Sequence, residues 1–433
     1  MSEVTSGIVA CIIMLLLFLT GLELAFGMAL VGFIGFAYLV SFSAASNLLV
    51  KDFFDTFTSY GFTVIPMFVL MGQIASHSDI ARRLYLACHK FVGHIPGGLA
   101  MTTVGGAALF KSVCGSTLAT AAAFAGIAIP EMDRYGYDKK LSTGVVASVG
   151  TLGVLIPPSI VLIIYAIIVE ESVGKMFLAG IVPAIVICFL FLAIIYAWVK
   201  INPGIAPGAA PAPWSERIRV LPEFLAIGVI FLVIIGGMMK GFFSPTEAGS
   251  IGTLAIIILA AARKELTFKG IVAATIESLK TACMVLTLIA GSIVLGHFLA
   301  VTEIPFITAD WVIDLPVHRD VVMVIIIIVY LIGGSFIDDL AFLILATPIF
   351  YPAVVKLGYD PLWFGIILLV TIMIGVIIPP VAMCVFVVKG ITGVPIGIIY
   401  RGCLPFILAL VAAVVLLFIF PQMAYWLPHL LMG

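Results

Sequence analysis

Long apolar runs separated by short polar stretches cover most of the chain. A helix that crosses a bilayer upright needs about 20 predominantly apolar residues. On this criterion the runs predict membrane spans at 7–22, 24–43, 61–76, 176–199, 223–239, 246–262, 272–300 and 396–420. A basic, amphipathic stretch follows the third of them at 79–95. The pattern predicts an all-α polytopic membrane protein, because a membrane barrel would alternate polar and apolar residues.

Shorter apolar segments come in two pairs, each pair on either side of a polar tip. The pairs are 97–110 with 117–130 and 321–332 with 340–353. The first tip runs from Lys111 to Ser116 and the second from Gly333 to Asp339. Each segment is too short to cross a bilayer as an upright helix. Each pair therefore predicts a re-entrant hairpin that dips into the membrane and returns.

Two further apolar runs are interrupted by a proline pair. The run 141–169 is broken at Pro157-Pro158, and the run 361–388 is broken at Pro379-Pro380. Two successive prolines remove two backbone donors and clash with the preceding turn, so a full break is expected rather than a kink. With these two runs the sequence predicts ten spans and two hairpins.

The shift along the sequence that carries Pro157 onto Pro379 is named the repeat offset, and it also relates several other positions. It carries Gly153 onto Gly375 and Ser116 onto Asp338. It also carries the tripeptide Gly136-Tyr137-Asp138 onto Gly358-Tyr359-Asp360. Helix breaks at corresponding places in two halves of a membrane protein point to the binding site of a transporter. Freed backbone groups are tolerated at membrane depth only where protein or a watery cavity satisfies them.

The repeat and a proline-rich linker predict the domain organisation. The linker is 200–222, and the first repeat, 1–199, precedes it while the second, 223–433, follows it. The first repeat divides into scaffold spans at 1–95, hairpin one and its broken helix at 96–170, and a span at 176–199. The second divides into scaffold spans at 223–300, hairpin two and its broken helix at 320–390, and a span at 395–420.

The basic residues predict the orientation. With the N-terminus outside and each hairpin returning to its own side, most of the basic residues lie on the inside, as the positive-inside rule requires. The inside set is Arg82, Arg83, Lys90, Arg134, Lys139, Lys140, Lys200, Arg217, Arg219, Arg263, Lys264, Lys269, Lys389 and Arg401, and the outside set is Lys51, Lys175, Lys240, Arg319 and Lys356. This threading places both termini outside and makes the two repeats inverted relative to each other.

Composition limits the possible functions. The chain is 63% apolar and 10% charged, with a mean hydropathy of +1.31, and its net charge of −1 does not suggest nucleic acid as a partner. Its seven cysteines have no paired spacing, which favours small buried side chains over a disulfide framework. Neither a Walker A loop nor a zinc-protease or nucleophile-elbow motif occurs. The sequence therefore predicts a transporter driven by an ion gradient rather than an enzyme or an ATP-driven pump.

The hairpin tips carry the candidate chemistry. The helix after the first tip should begin at Ser116 or Thr117, and a helix N-terminus favours an anionic ligand. Freed carbonyls nearby suit a hard cation such as Na⁺. The second tip has Asp338, and a carboxylate at membrane depth is usually functional. Lys111 has two open interpretations: it attracts an anion into the first tip, or it snorkels to the interface.

Several segments resemble the large membrane subunit of tripartite ATP-independent periplasmic (TRAP) transporters, in the branch often associated with dicarboxylates. They are Phe110-Lys111-Ser112-Val113-Cys114-Gly115-Ser116-Thr117-Leu118-Ala119-Thr120-Ala121-Ala122, Ile129-Pro130-Glu131-Met132 through Asp138, Leu155-Ile156-Pro157-Pro158-Ser159-Ile160, Phe177-Leu178-Ala179-Gly180-Ile181-Val182-Pro183, Ser244-Pro245-Thr246-Glu247-Ala248 and Ile378-Pro379-Pro380-Val381. The likeness covers nearly the whole chain. A second acid beside Asp338, Asp339, departs from the family pattern, and Lys111 is not diagnostic of it.

This resemblance implies a Na⁺-driven elevator transporter for small organic acids in the bacterial inner membrane. A transport domain that holds both hairpins and both broken helices would slide against a scaffold of the remaining spans. A separate small membrane subunit and a soluble periplasmic substrate-binding protein would be its partners. Na⁺ would be the coupling ion, with no covalent cofactor.

The resemblance also implies site residues by motif position. The first Na⁺ site would involve Ser112, Gly115, Ser116, Gly153 and Pro157, and the second Gly334, Asp338, Gly375 and Pro379. The organic anion would lie between the tips, near Ser116, Thr117, Pro158, Ser159, Ser335 and Pro380. The family spreads over C4-dicarboxylates, keto acids, sugar acids, sialic acids and sulfonates, and the sequence does not select among them.

Two alternatives stay open. A stand-alone divalent-anion/Na⁺ symporter of similar hairpin architecture would need no partner protein. An intramembrane enzyme or a channel belongs to a different class. An enzyme should show a convergent pair of polar residues on facing helices, and a channel would not need two inverted broken repeats.

Overall fold

The computed structural model describes residues 2–307, 310 and 316–432. Within these ranges the regular secondary structure is helical and contains no β-strand. The predicted repeats, 1–199 and 223–433, include positions 1, 308, 309, 311–315 and 433, which lie outside the described residues. The all-α prediction is therefore confirmed for the described part of the chain.

The helices are numbered in chain order. The first half contains α1 (Glu3–Leu19), α2 (Leu24–Leu39), α3 (Phe42–Thr58), α4 (Val64–Ser76), α5 (Ile80–Val92), α6 (Gly98–Lys111), α7 (Thr117–Arg134), α8 (Lys139–Thr151), α9 (Ile160–Ile168) and α10 (Val173–Ile201). The linker holds α11 (Trp214–Arg219). The second half contains α12 (Leu221–Met239), α13 (Pro245–Ala262), α14 (Phe268–Val301), α15 (Arg319–Phe336), α16 (Asp339–Lys356), α17 (Pro361–Gly375), α18 (Met383–Thr392), α19 (Ile396–Ile419) and α20 (Gln422–Met432).

Among the described residues, seven helices are long and apolar enough to cross a membrane, or eight if one bent pair counts as a span. The bent pair joins α3 to the segment 60–76 at an angle of 51°. Several predicted spans, such as those at α1, α2 and α17, form helices shorter than 18 residues and are not included in this count. The chain is a multi-pass membrane protein.

The helix order repeats at the repeat offset found in the sequence. This offset carries Thr117, the first residue of α7, onto Asp339, the first residue of α16, and Lys139 of α8 onto Pro361 of α17. An aspartate caps the helix that follows the hairpin in each half: Asp138 accepts a hydrogen bond at the start of α8, and Asp360 does so at the start of α17. The same local signals therefore produce the same elements in both halves.

The arms of the second hairpin are longer than predicted. The segments 321–332 and 340–353 are parts of α15 and α16, which have 18 residues each. The apolar windows ended too early because helical hydrogen bonding continues through the small and polar residues at the tip and through prolines inside α16. Length alone consequently does not separate this hairpin from two spans.

The sequence also missed α3, because polar residues interrupt its apolar run. Lys51, Asp52 and Asp55 fall within it. The helix begins after Ser41, whose side chain accepts a hydrogen bond from the backbone N–H of Ala44. A serine in this position is a favourable N-cap. The segment between the second and third predicted spans is therefore helical.

Glycines bring the scaffold helices close together. A Cβ at Gly32 of α2 would stand 2.7 Å from the backbone of Leu295 in α14, and one at Gly291 would overlap the carbonyl of Ala25. α13 lies along α4, where the Thr253 hydroxyl donates to the Met67 carbonyl over 2.9 Å. Small residues at such crossings are typical of membrane helices, since close backbone approach increases the van der Waals contact.

The elements around the two breaks form a second packed group that joins the two halves. α8 packs against α7, α18 and α19, and α15 packs against α17. α8 meets α19 at Gly144 and Gly402, where a Cβ on either glycine would overlap the backbone of the other helix. This crossing ties the broken helix of the first half to the last long helix of the second.

Candidate functional site

The first hairpin tip connects α6 to α7. Ser116 is the N-cap of α7, and its hydroxyl accepts a hydrogen bond from the Ala119 N–H over 3.3 Å. The carbonyl of Ser116 accepts from the hydroxyl of Thr120 over 3.1 Å and from the ammonium of Lys111 over 2.5 Å. The sequence allowed Ser116 or Thr117 as the cap, and the structure has Ser116.

This tip faces the first proline break. α8 continues into a 3₁₀ turn at Leu152–Val154, and α9 begins after Ser159. The Pro157–Pro158 peptide is cis. A Cβ at Gly115 would stand 2.8 Å from the Pro158 carbonyl, so the glycine allows the tip to pack directly on the break.

The second tip has the same arrangement with different side chains. Asp338 is the N-cap of α16, and its carboxylate accepts hydrogen bonds from the N–H groups of Leu340 and Ala341 over 3.1 and 3.3 Å. A Cβ at Gly375 would stand 2.8 Å from the carbonyl of Gly334. The second tip therefore packs on the end of α17.

The second break lies beside this tip. The Val381 N–H donates to the Ser335 carbonyl over 3.2 Å, and the Pro379–Pro380 peptide is cis. Pro379 and Pro380 are exposed, whereas Pro157 and Pro158 are buried. The two breaks therefore share a cis Pro–Pro peptide, but their prolines differ in burial.

Both tips open onto one cavity of about 470 Å³. Ser116 and Thr117 line it from the first half, and Asp338 and Asp339 line it from the second. Further lining residues come from the scaffold helices: Phe68, Val69, Gly72, Gln73, Glu277, Thr281 and Met284. The cavity therefore brings together the start of α7, the start of α16 and the faces of α4 and α14.

The structure brings some of the predicted site residues to this cavity and not others. Gly115, Ser116, Thr117 and Asp338 line it, whereas the following predicted residues are not among its lining: Ser112, Gly153, Pro157, Pro158, Ser159, Gly334, Ser335, Gly375, Pro379 and Pro380. Among these, Gly153, Gly334 and Gly375 are buried at the contacts between the tips and the breaks.

Three of the predicted residues have other local roles. The Ser159 hydroxyl donates to the Val154 carbonyl and the Ser335 hydroxyl to the Ile332 carbonyl, each over 2.7 Å. Pro157 lines a separate apolar groove with side chains of α10 and α12. The closeness of Ser159 and Ser335 to a ligand between the tips stays a prediction, and in this structure both hydroxyls donate to nearby backbone carbonyls.

Sequence reasoning missed the polar residues that the scaffold contributes. Gln73 is an isolated amide in an apolar run, and Glu277 lies in α14, where its carboxylate is 3.0 Å from a ring nitrogen of His77. A polar side chain inside an apolar run was the available signal. Their proximity to the tips depends on tertiary packing, which the local pattern does not encode.

Lys111 does not snorkel. Its side chain has no exposed surface, and its ammonium hydrogen-bonds within the first tip. A Cβ at Gly153 would overlap Nζ and stand 2.5 Å from Cε. The ammonium therefore lies against the backbone that precedes the first break.

No cluster of three or more His, Cys, Asp or Glu side chains occurs within the described ranges. A cation at either tip would accordingly depend on backbone carbonyls and hydroxyls, and at the second tip also on the carboxylates of Asp338 and Asp339. Such oxygen ligands suit hard cations.

Comparisons with known proteins agree with this architecture. A family model described as "Tripartite ATP-independent periplasmic transporter, DctM component" matches residues 11–423. The C4-dicarboxylate TRAP transporter large permease protein of Pseudomonas aeruginosa is 35% identical over 394 residues, which are 90% of this chain and 91% of that protein. The sialic acid TRAP transporter large permease protein of Vibrio cholerae is 29% identical, over 93% of this chain and 94% of that one.

A third relative, the ectoine/5-hydroxyectoine TRAP transporter large permease protein of Ruegeria pomeroyi, is 30% identical over 96% of this chain and 97% of that protein. Among solved structures, the YdaH transporter of Alcanivorax borkumensis has a TM-score of 0.57 at 14% identity, covering 89% of this chain and 90% of that one. That similarity concerns the fold alone. The match of the family model over nearly the whole chain and the similar lengths of the relatives show that the chain belongs to the DctM family, the large membrane subunits of TRAP transporters, and is a transporter subunit rather than an enzyme.

Proposed function

We propose that the chain carries out Na⁺-coupled uptake of a small organic acid anion. The observation that carries this proposal is the shared cavity, onto which both hairpin tips open. The relatives are named for C4-dicarboxylates, sialic acid and ectoines, and we propose a C4-dicarboxylate or a similar organic acid as the cargo because the 35% identical relative is named for C4-dicarboxylate.

The charges around the cavity support coupling to a cation. The N-terminus of α7 favours an anion, since its first N–H groups point toward the tip. Asp338 and Asp339 line the same cavity and repel an anion. Opposite charge placed close to a carboxylate offsets that repulsion. A Na⁺ ion at the second tip, near Asp338 and the backbone of Gly334 and Gly375, would let the anion bind beside these carboxylates.

We propose an elevator mechanism with two inverted repeats. The transport domain would consist of 96–170 and 320–390, and the other spans would form the scaffold. The first tip meets the scaffold at Gly72 of α4, where a Cβ would stand 3.5 Å from the Cα of Cys114. The Ser76 hydroxyl and the Cys114 thiol are 3.3 Å apart there. Small side chains on this face would allow one body to slide past the other.

The proposed setting is the bacterial inner membrane, with both termini on the periplasmic side. The proposed partners are a small membrane subunit and a periplasmic substrate-binding protein, with no nucleic acid involved. The family model and the TRAP names of the relatives support this assignment.

Reconstitution tests the proposal. The chain is purified with its small membrane subunit, placed in proteoliposomes, and given an imposed Na⁺ gradient and a panel of labelled organic acids. Uptake that needs both Na⁺ and the added binding protein is the expected result. Uptake that needs Na⁺ but is indifferent to the binding protein would favour a stand-alone symporter. Absence of uptake of any acid under any gradient would contradict the proposed function.

A further inference from the structure

A lysine lies inside the region that was expected to hold the first Na⁺. The Lys111 side chain is fully buried, and its ammonium donates to the Ser116 carbonyl over 2.5 Å. The same ammonium lies against Gly153, where a Cβ would overlap it. Ser116 and Gly153 both belong to the set expected for the first Na⁺ site.

The other members of that set make local contacts of their own. The Ser112 hydroxyl donates to the Leu109 carbonyl over 2.7 Å. Gly115 packs on the Pro158 carbonyl, and Pro157 lines an apolar groove. The residues present therefore do not fit a Na⁺ ion at the first tip, because the lysine ammonium already uses the carbonyl and the space that the ion would need.

We propose that the Lys111 ammonium is the resident cation of the first hairpin and replaces a first Na⁺, so that transport is coupled to Na⁺ at the second hairpin only. This inference rests on the proposed function and specifies its ion stoichiometry. An ammonium group carries the same charge as Na⁺ and presents three donors to surrounding oxygens. A buried charge is retained only where such partners compensate for lost solvation.

The second half shows the contrast that this inference requires. The repeat offset carries Lys111 onto Gly333, so no side-chain cation reaches the second tip from that position. The second tip has Asp338 and Asp339 instead. A fixed positive charge thus lies at the first tip, and negative charges that call for a mobile cation lie at the second.

The test counts bound ions directly, without transport. The chain is purified with its small membrane subunit in lipid nanodiscs, and ²²Na⁺ binding at equilibrium is measured per chain. The wild type should bind one Na⁺. Lys111→Ala removes the ammonium and opens its space, so this variant should bind two. Lys111→Met fills the same space with an uncharged side chain of similar length and should still bind one.

A second variant identifies the remaining site. Asp338→Asn should reduce the wild-type count to none, and the double variant with Lys111→Ala should bind one ion at the first tip. If Lys111→Ala does not fold, the wild-type count with and without Asp338→Asn decides the question.

Two results would overturn the inference. A wild type that binds two Na⁺ would show that the first tip takes an ion beside the lysine, and an equal count in wild type and folded Lys111→Ala would show that the ammonium does not occupy an ion site. Either result leaves the proposed Na⁺ coupling intact. Absence of Na⁺ binding in every variant would instead overturn both the inference and the coupling.

Discussion

Replacing Gly153 by alanine should disturb the buried lysine of the first tip. The added methyl group would overlap Nζ of Lys111 and stand 2.5 Å from Cε and 2.8 Å from Cδ. A flexible side chain on a protein surface would simply move away from such a contact. Lys111 has no exposed surface, so its movement must break the hydrogen bond to the Ser116 carbonyl or push against neighbouring side chains.

The expected cost follows from overpacking. An extra methyl group in a well-packed interior typically costs about 1–3 kcal/mol, because side chains leave their preferred rotamers or the backbone shifts. In the Lys111→Ala background the methyl group enters the space left by the lysine. We therefore expect Gly153→Ala to cost only a few tenths of what it costs in the wild-type background. The difference is a coupling free energy between the two positions.

The assay is a titration with sodium dodecyl sulfate in mixed micelles, which gives the free energy of unfolding of the wild type, both single variants and the double variant. Gly126→Ala is the matched control. Gly126 lies at an exposed position in α7, one arm of the first hairpin, and a Cβ there meets no atom within 4 Å. Alanine is the better helix former, so the control should be neutral or stabilising by up to about 1 kcal/mol.

Equal destabilisation by Gly153→Ala in the wild-type and Lys111→Ala backgrounds would refute the reasoning. It would mean that the methyl group meets something other than the lysine. Stability of Gly153→Ala equal to that of Gly126→Ala would refute it as well, since the ammonium would then not lie against this glycine.

Other variants test the remaining contacts of the two tips. Gly375→Ala would place a Cβ 2.8 Å from the Gly334 backbone, which cannot swing away, so it should cost about 1–3 kcal/mol of unfolding free energy whereas Gly390→Ala, which meets no atom, should not. Asp338→Asn keeps a good N-cap and should leave the melting temperature nearly unchanged while weakening the Na⁺ dependence of uptake; unchanged Na⁺ dependence would remove Asp338 from the cation site. Ser116→Ala removes the N-cap acceptor of α7 and should cost about 1 kcal/mol in the same titration, and no loss would show that the cap contributes nothing.

The sequence predicts the backbone around the site well because the signals are local. The proline pairs remove helical hydrogen bonds wherever they occur, and both breaks lie where the sequence places them. Ser116 precedes an apolar run in the way that an N-cap does, and it is the N-cap of α7; Asp338, which the repeat offset relates to it, caps α16. Local chemistry is sufficient for these features.

Side-chain direction and tertiary proximity are not local, and the sequence pattern does not predict them. Ser159 and Ser335 satisfy their hydroxyl groups on nearby backbone carbonyls, which a serine at a helix break or in a helix can always do. Gln73 and Glu277 reach the cavity only because α4 and α14 pack beside the tips. Lys111 gave the same sequence signal for attracting an anion into the first tip as for snorkelling, and only the packing of the tip shows that its side chain is buried.

The chemical difference between the two tips lies at positions that the repeat relates to each other. At the repeat offset, Lys111 corresponds to Gly333, Ser116 to Asp338 and Thr117 to Asp339. The backbone frame is shared, since α7 and α16 begin at corresponding residues and each tip packs on its own break through a glycine. A lysine in one tip and two aspartates in the other therefore give opposite charges to two similar frames. Under the proposed function, this asymmetry would let a fixed cation serve one tip while the other exchanges its cation with water.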